Sequence, residues 1–284
     1  MKVAFATCAE KPAGTVDDRL LSDYLRGRGH DVSYEVWSAG DADWKRYDLV
    51  FIRSTWDYHF HLPKFLAWAE RVSQVTRVLN TRSVIEWNST KEYLVELAGK
   101  GVSSVPTILG SELKALMERA EAALEEYEAI IVKPAVSAGA KRTFKVTTPD
   151  EALEAIESAL VKGVVLVQPF IESIEEDGEV SLIYVRDGDW RFTHGVQKRP
   201  KHGDYRVQAE FGGSLDPFKG EPALHTFAKG ALAHAPEGTS FARVDIVDWK
   251  RTPMIGELEL IEPELFFRFS PEAVERFASL IERS

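Results

Sequence analysis

Cysteine is almost absent from this sequence, which contains only Cys8 among its 284 residues. A single cysteine cannot form an intrachain disulfide or assemble a cysteine-based zinc cluster. Long apolar runs are also lacking, and Met1 to Glu10 has neither the basic start nor the apolar core of a signal peptide. We therefore expect a cytoplasmic protein that does not associate with a membrane.

Positive charge is scarce as well, since 35 lysines and arginines stand against 45 aspartates and glutamates and the formal net charge is -10. Nucleic acids and acidic membranes both require a broadly positive protein face, so neither is expected as a partner. Hydrophobic residues make up 44% of the chain, which is enough for a sizeable core. A chain of this length is expected to divide into two or three compact units.

The first part of the chain alternates strand and helix signals. Strands are predicted at 3–7, 32–37, 49–54 and 77–80, and helices at 17–28 and 62–74. This βαβ rhythm predicts a small parallel sheet with helices on its faces. Gly29 is placed to end the first helix in the left-handed conformation.

From Ser89 the pattern changes, with an N-cap at Ser89 and a helix at 91–100 that indicate a second lobe. Further strands are predicted at 129–134, 143–147, 164–169, 180–186, 190–197, 205–210, 241–247 and 254–261, with helices at 150–161 and 217–233. The predicted fold is therefore α/β, built from α+β lobes. We expect an N-terminal domain over residues 1–84, a central lobe over 85–170 and a C-terminal lobe over 171–284.

An acidic set occupies the last two predicted strands. Glu257 and Glu259 are two residues apart and share one face, as Arg243 and Asp245 do on the preceding strand. If the strands pair, three carboxylates converge, and their repulsion calls for a divalent cation or a basic partner. No lysine shares this predicted face, which favours magnesium with a polyphosphate. The alternative is an ordinary solvated sheet face.

Lys133 ends an apolar strand and precedes a loop of small residues, Ala135 to Ala140. Such a loop lets backbone N–H groups approach phosphate oxygens, while the lysine supplies a compensating charge. The loop is not a Walker A sequence, because the GxxxxGK[ST] spacing is absent from the chain. The alternative is a surface turn with a solvated lysine.

Two arginines, Arg199 and Arg206, lie in a basic run that also contains Lys198 and Lys201. In a chain this acidic, a concentrated positive loop suggests a small anionic ligand, and arginine holds carboxylate or phosphoryl oxygens in a bidentate way. A solvated turn is the alternative.

A polar and aromatic segment follows the predicted strand at 49–54, with Arg53, Ser54, Trp56 and Asp57 as candidate substrate contacts. Ligands of open α/β sheets sit beyond the carboxyl ends of the strands, where this segment lies. Trp56 and its neighbour Tyr58 are alternatively packing residues. His59 and His61 have metal-like spacing but no third histidine or cysteine nearby.

Taken in order, these segments resemble the ATP-grasp superfamily from about Asn80 to Phe267, preceded by a lobe like its Rossmann-like N-terminal (pre-ATP-grasp) domain. The resemblance implies that Lys91 and Lys133 bind the nucleotide phosphates under a loop from Ser137 to Ala140 that includes Gly139. It also implies an adenine hinge at Phe170 and Ile171 flanked by Gln168, a ribose contact at Glu179, and metal ligands at Asp245, Glu257 and Glu259.

The sequence departs from the family at one ligand position, where the usual Glu-x-Asn reads Glu-x-Glu and ends at Glu259. It most resembles the prokaryotic glutathione synthetase-like ligases, and among them the branch with the cycloserine-forming cyclo-ligase that acts on O-ureidoserine. Segments such as Arg-Ser-Thr-Trp-Asp-Tyr and Glu-Leu-Glu-Leu-Ile-Glu-Pro-Glu-Leu-Phe-Phe carry this likeness. Relatives share the fold and the nucleotide site but differ in the acceptor pocket, so this resemblance does not identify the substrate.

The resemblance implies an ATP-dependent carboxylate–amine ligase or cyclo-ligase that acts on a small amino-acid-like substrate through an acyl phosphate and releases ADP and phosphate. ATP and Mg²⁺, or Mn²⁺ in its place, are the expected cofactors. Lys133 would act on the phosphates and Arg206 near the transferred group, with Arg199 as the second choice. A homodimer is left open. The rival functions are a catalytically silent ATP-binding regulatory module and a zinc-dependent hydrolase.

Overall fold

The computed structural model describes residues 1–137, 139 and 142–284. Within this part of the chain, three sheets follow one another: a four-stranded N-terminal sheet, a four-stranded central sheet and a five-stranded C-terminal sheet. No helix in the described ranges combines the length and the hydropathy needed to cross a bilayer.

The N-terminal sheet is entirely parallel, as predicted, with the strand order β2-β1-β3-β4. Its elements are β1 (Lys2–Thr7), α1 (Val16–Gly27), β2 (Asp31–Val36), β3 (Leu49–Ile52), α2 (Leu62–Ser73) and β4 (Arg77–Leu79). Central strands of such a sheet are buried on both faces and therefore read as continuous apolar runs. Thr15 begins α1 with a capping box to Asp18, and Gly29 follows the helix with φ of 87°, as expected.

The central sheet is antiparallel, with the order β5-β8-β6-β7. Its part of the chain contains α3 (Arg82–Asn88), α4 (Tyr93–Gly99), β5 (Ile108–Gly110), α5 (Leu113–Glu126), β6 (Ile130–Pro134), β7 (Phe144–Val146), α6 (Pro149–Leu160) and β8 (Val165–Pro169). The predicted N-cap at Ser89 is wrong, because Ser89 ends α3 and its hydroxyl bonds the Glu86 carbonyl. The next helix begins only at Tyr93.

The C-terminal sheet has the order β11-β10-β9-β12-β13. Its elements are α7 (Ser173–Glu176), β9 (Glu179–Asp187), β10 (Asp189–Arg199), β11 (Ser214–Phe218), α8 (Pro222–Leu232), β12 (Phe241–Trp249), β13 (Thr252–Glu259) and α9 (Pro271–Arg283). The strand predicted at 205–210 is wrong. Asp204 accepts the N–H groups of Tyr205 and Arg206 and folds the segment into a turn.

The helix predicted from Pro217 begins five residues later, at Pro222, because Pro217 belongs to the edge strand β11 and is paired with Val196. An edge strand tolerates the missing N–H of proline. The helix α9 is absent from the predicted elements, and it returns to the first part of the chain, where Phe277 stacks on Phe51 with ring centroids 6.3 Å apart. The predicted domain boundaries at 84/85 and 170/171 stay predictions.

Candidate active site

Three carboxylates meet on one face of the C-terminal sheet. Strands β12 and β13 pair so that Asp245 lies opposite Glu257 and Arg243 lies opposite Glu259. Paired residues of neighbouring strands project to the same face, and one carboxylate oxygen from each of Asp245, Glu257 and Glu259 lies within 4.8 Å of the other two. The structure thus brings together the three side chains predicted as metal ligands.

Arg243 lies among these carboxylates and is itself buried, with 7% of its surface exposed. Its guanidinium donates to Asp245 through Nε at 3.0 Å and Nη2 at 2.8 Å, and it also donates to Glu259. The additional negative charge at position 259, where the family usually has asparagine, is therefore paired within the chain. Arg243 was not among the predicted site residues, although the strand alternation had placed it on the same face as Asp245.

The expectation that this face lacks lysine is wrong. Lys91 and Lys133 reach it from the central part of the chain, and their Nζ atoms lie 3.0 and 3.2 Å from the same oxygen of Glu257. Lys198, two strands away in the same sheet, lies 3.5 Å from Asp245 and pairs with Glu179. The cluster therefore alternates in sign, which allows several charges to remain together with little exposure.

Burial and charge act in opposite directions on the two glutamates of β13. Burial acts to raise the pKa of Glu257, but the positive charges of Lys91 and Lys133 outweigh it and hold that pKa well below its usual range. Burial raises the pKa of Glu259 to about 7, against the opposing charge of Arg243. The pKa values of these two carboxyl groups are therefore shifted in opposite directions although both residues lie on one strand.

The ribose candidate Glu179 begins β9 directly after Gly178. Gly178 has φ of 77°, and a Cβ at this position would collide with the carbonyl oxygen of Lys198. Glycine therefore permits the close strand approach that brings the Lys198 ammonium to Glu179. Ser181, two residues along the same face, donates its hydroxyl hydrogen to Asp245.

The donor set suits a hard divalent cation. Magnesium prefers carboxylate oxygens and keeps part of its water shell for substrate phosphates, and three carboxylates within 4.8 Å offer that chemistry. His59 and His61 belong to no comparable group of metal-ligating residues in the described part of the chain.

Lys133 and Gln168 face the same side of the central sheet. Strands β6 and β8 pair Ile131 with Gln168, and Lys133 is two residues from Ile131 on the same strand. The opposite face, with Val132 and Val167, packs against α5 and α6. Lys133 and Gln168 consequently point away from the core of this lobe.

The predicted hinge follows β8. Phe170 and Ile171 are buried, and the N–H of Phe170 donates to the Ala129 carbonyl oxygen at 2.9 Å. This N–H is therefore not available to a base, whereas the prediction had both residues use their backbone groups. Beside the hinge, the Lys145 ammonium lies 3.7 Å from the centre of the Phe170 ring, a distance typical of a cation–π contact.

The predicted phosphate loop is only partly described. Ser137 and Gly139 follow β6, and Gly139 has φ of 62°. A Cβ at Gly139 would lie 3.4 Å from a carboxylate oxygen of Glu210, so this loop and the segment after β10 approach each other. Ala138 and Ala140, which complete the predicted loop, lie outside the described residues.

Both candidate catalytic arginines are paired locally. Arg206 forms a bidentate pair with Asp204, with Nη2–Oδ2 at 2.7 Å and Nε–Oδ1 at 3.0 Å, and its guanidinium lies over the ring of Phe211. Arg199 is half exposed and lies 3.4 Å from Asp216. Across the described ranges, neither forms an ion pair with the three clustered carboxylates.

The segment after β3 lies against the loop that follows β13. Arg53 is 2% exposed and donates to Asp18 at 2.7 Å and to the Pro263 carbonyl, while Trp56 donates to the Glu262 carbonyl at 3.3 Å. Asp57 accepts the indole N–H of Trp37 at 2.6 Å. Arg53 and Asp57 thus form structural bonds of their own.

Two further polar side chains lie next to this contact. The Ser54 hydroxyl is buried with no hydrogen-bond partner in the described part of the chain. Glu262, absent from the predicted site residues, is 9% exposed, and burial followed by the charge of Glu259 raises its pKa to about 8. Nothing in the local sequence pattern distinguishes Glu262 from the acids around it.

Two protein-family models match different parts of the sequence. Residues 3–80 match the N-terminal domain of D-cycloserine synthetase DcsG, and residues 103–253 match the ATP-grasp domain of prokaryotic glutathione synthetase. The chain therefore belongs to the ATP-grasp ligases of the prokaryotic glutathione synthetase type. It is a ligase that forms C–N bonds and releases ADP, and ligases of this family use ATP with Mg²⁺.

Among its relatives is the cycloserine biosynthesis protein DcsG of Streptomyces lavendulae, which is 31% identical over 259 residues, covering 86% of each protein. The crystal structure of D-cycloserine synthetase DcsG superposes with a TM-score of 0.88 and 29% identity over 100% of this chain and 99% of that chain. The predicted family and fold class are both confirmed.

More distant structures share the fold alone. D-alanyl-alanine synthetase A from Vibrio cholerae superposes with a TM-score of 0.72 at 13% identity, covering 100% of this chain and 96% of that chain. The ATP-grasp ligase PsnB, in a complex with a precursor variant, Mg and ADP, has a TM-score of 0.64 at 16% identity over 99% and 97% of the two chains.

Proposed function

We propose that this ligase activates the carboxylate of a small amino-acid-like substrate with ATP and then joins it to an amine, either on a second substrate or within the same molecule. The supporting observation is the meeting of Lys91 and Lys133 with Glu257, beside Asp245 and Glu259. These residues are far apart in the sequence, and both lysines lie within 3.2 Å of one carboxylate. Such a concentration of opposed charges suits a metal-bound triphosphate.

The phosphate side of the site consists of charges held in fixed positions. Lys91 and Lys133 would contact the nucleotide phosphates, and Asp245, Glu257 and Glu259 would hold magnesium, which supplies neutralising charge to the phosphates. Preorganised charges of this kind stabilise phosphoryl transfer without any covalent role for the protein. Ser137 and Gly139 would cover the phosphates with backbone N–H groups.

The base and ribose would lie beyond the phosphates. The Ile171 N–H and the side chain of Gln168 would bond adenine, and Phe170 would contribute its ring and its carbonyl oxygen. Glu179 would accept the ribose hydroxyls in exchange for its pair with Lys198.

The acceptor side would be formed where the N-terminal sheet meets the loop after β13. Ser54 offers a buried hydroxyl with a free bonding capacity, Trp56 offers an aromatic wall, and Arg53 and Asp57 hold the segment in place. Arg206, with Arg199 as the second choice, would contact the transferred phosphoryl group. Its pair with Asp204 would hold the guanidinium in position for this contact.

The reaction would then proceed in two steps. A carboxylate oxygen of the substrate attacks the γ-phosphorus of ATP, the bond to the ADP oxygen breaks, and an acyl phosphate forms. The amine nitrogen next attacks the acyl carbon, the C–O bond to phosphate breaks, and inorganic phosphate leaves. The amine loses a proton to an acceptor in the site or to water. Arg243, beside Glu259, would stabilise the negative charge that develops on the acyl oxygen.

ADP release in the presence of Mg²⁺ tests this proposal. The purified chain is incubated with ATP and a panel of amino acids that includes O-substituted serines carrying a terminal amine or urea, because the DcsG relative acts in cycloserine biosynthesis. We expect one member of the panel to stimulate ADP release and to yield an amide, with Mn²⁺ able to replace Mg²⁺. ATP binding with no stimulated ADP release by any member would contradict the proposed substrate class.

The proposed ligase is cytoplasmic and has no nucleic acid partner. Whether it forms a homodimer stays open, and sedimentation of the purified chain at micromolar concentration measures its oligomeric state directly.

A further inference from the structure

The side-chain amide of Gln168 forms a hydrogen bond with the hydroxyl group of Thr107, and the other bond of that hydroxyl fixes its direction. Its amide Nε2 donates to Thr107 Oγ1 at 2.8 Å, and Thr107 Oγ1 donates in turn to the Val105 carbonyl oxygen at 2.7 Å. A threonine hydroxyl has a single hydrogen, so an oxygen that donates to Val105 can only accept from Gln168. Thr107 therefore selects the NH₂ end of the amide and turns the Gln168 carbonyl oxygen away from itself.

The segment that carries Thr107 is itself fixed. The N–H of Val105 donates to the Ile255 carbonyl at 3.0 Å, and the N–H of Ile255 donates to Ser103 at 2.9 Å. Ile255 belongs to β13, the strand that carries Glu257 two residues later. The position of Thr107 is thus tied to the strand that carries Glu257. Thr107 directly precedes β5, and the antiparallel register of β5 and β8, extended by one residue, places it opposite Gln168.

The orientation of the Gln168 amide decides which purine it accepts. Adenine presents an amino group at the edge where guanine presents a carbonyl oxygen, so adenine offers a donor and guanine an acceptor. A Gln168 carbonyl oxygen directed at this edge bonds adenine and repels guanine. A freely rotating amide would serve either base, because its NH₂ group can donate to guanine instead.

We propose that Thr107 is a positioning residue that makes the nucleotide site select adenine over guanine, by fixing the Gln168 amide with its carbonyl oxygen toward the base. This inference rests on the proposed nucleotide site beside the hinge. It assigns to Thr107 no contact with the base, and its effect is confined to the discrimination between the two purines.

The test compares the binding of adenylyl imidodiphosphate and guanylyl imidodiphosphate by calorimetry in the presence of Mg²⁺. The wild type is expected to bind the adenine analogue more tightly. Thr107→Val, which keeps the shape and removes the hydroxyl, should reduce the ratio of the two affinities about tenfold, the effect of about one hydrogen bond. Thr107→Ser should retain the wild-type ratio. A ratio does not depend on the fraction of folded protein in each preparation.

A double variant separates orientation from a general structural role. Gln168→Glu offers two acceptor oxygens and no donor when ionised. In that background Thr107→Val should leave the preference for adenine intact, because no rotation of the carboxylate can present a donor to guanine.

Three results would overturn the inference while leaving nucleotide binding established: a wild type without base preference, an unchanged ratio in Thr107→Val, or an equal loss in the single and double variants. A wild type that binds neither analogue would instead remove the proposed nucleotide site itself.

Discussion

Replacement of Arg243 by methionine tests how the acidic cluster is held together. Methionine keeps much of the volume of the side chain but removes two hydrogen bonds to Asp245 within 3.0 Å and the pair with Glu259. Asp245 and Glu259 are then left as close carboxylates with too little positive charge. Removing one partner of a buried ion pair destabilises proteins by about 3–5 kcal/mol.

That magnitude is measurable in urea. With a denaturant slope of about 3 kcal/mol per molar for a protein of this size, a loss of about 4 kcal/mol shifts the midpoint of unfolding to lower urea by about 1.3 M. The matched control is Arg191→Met, because Arg191 is 60% exposed and lies 3.5 Å from Asp187. A surface pair of this kind contributes about 0–1 kcal/mol, so the control should shift the midpoint by no more than about 0.3 M.

Magnesium provides the second half of the test. In Arg243→Met the cation would replace the missing charge, so saturating Mg²⁺ should stabilise the variant more than the wild type, by about 1.4 kcal/mol for each tenfold gain in affinity. Turnover should be lost, since the charge proposed to act on the reacting acyl group is gone. Equal midpoints for Arg243→Met and Arg191→Met, with equal effects of Mg²⁺, would refute the assignment of Arg243 as the cation that holds the cluster.

Three further perturbations follow from the same geometry. Lys133→Met should weaken Mg-ATP binding at least tenfold in a calorimetric titration, because it removes a charge proposed to contact the phosphates, 3.2 Å from Glu257. The matched variant Lys114→Met, at an exposed position, should bind Mg-ATP normally. Arg206→Ala should abolish ADP release while leaving ATP affinity nearly intact, and normal turnover would exclude Arg206 from the mechanism. Burial lowers the pKa of His194 to about 4, below the value of about 6.5 in an unfolded chain, so the unfolded state binds the proton first as the pH falls. The free energy of unfolding should therefore decrease by about 1.4 kcal/mol per pH unit between about pH 6.5 and 4, and His194→Gln should lack this part of the slope in urea titrations.

The errors in the predicted secondary structure share a physical cause. The segment at 205–210 has the alternation of a strand, yet the carboxylate of Asp204 captures two backbone N–H groups and turns the chain. Pro217 looks like the start of a helix, yet it lies in an edge strand. In both places a local hydrogen bond or a neighbouring strand decides between conformations that the residues themselves permit.

The residues of the candidate site could be predicted where the residue type and the position along a strand are enough to indicate a role. Asp245, Glu257 and Glu259 follow from alternation along two strands, which fixes the face of every side chain. Lys133 follows from its place at the end of an apolar strand. Strand alternation also places Arg243 in this site, because it shares the face of Asp245.

The sequence by itself determined the parallel N-terminal sheet, the family and the three carboxylates of the candidate metal site, because apolar periodicity and residue type are local properties of a chain. Only the tertiary structure decided which charges meet. Lys91 and Lys133 converge on Glu257, Thr107 fixes the amide of Gln168, and Glu262 is buried beside Glu259. These relations depend on how separate sheets and loops pack, and the distances between such elements are set by the whole fold rather than by any one segment.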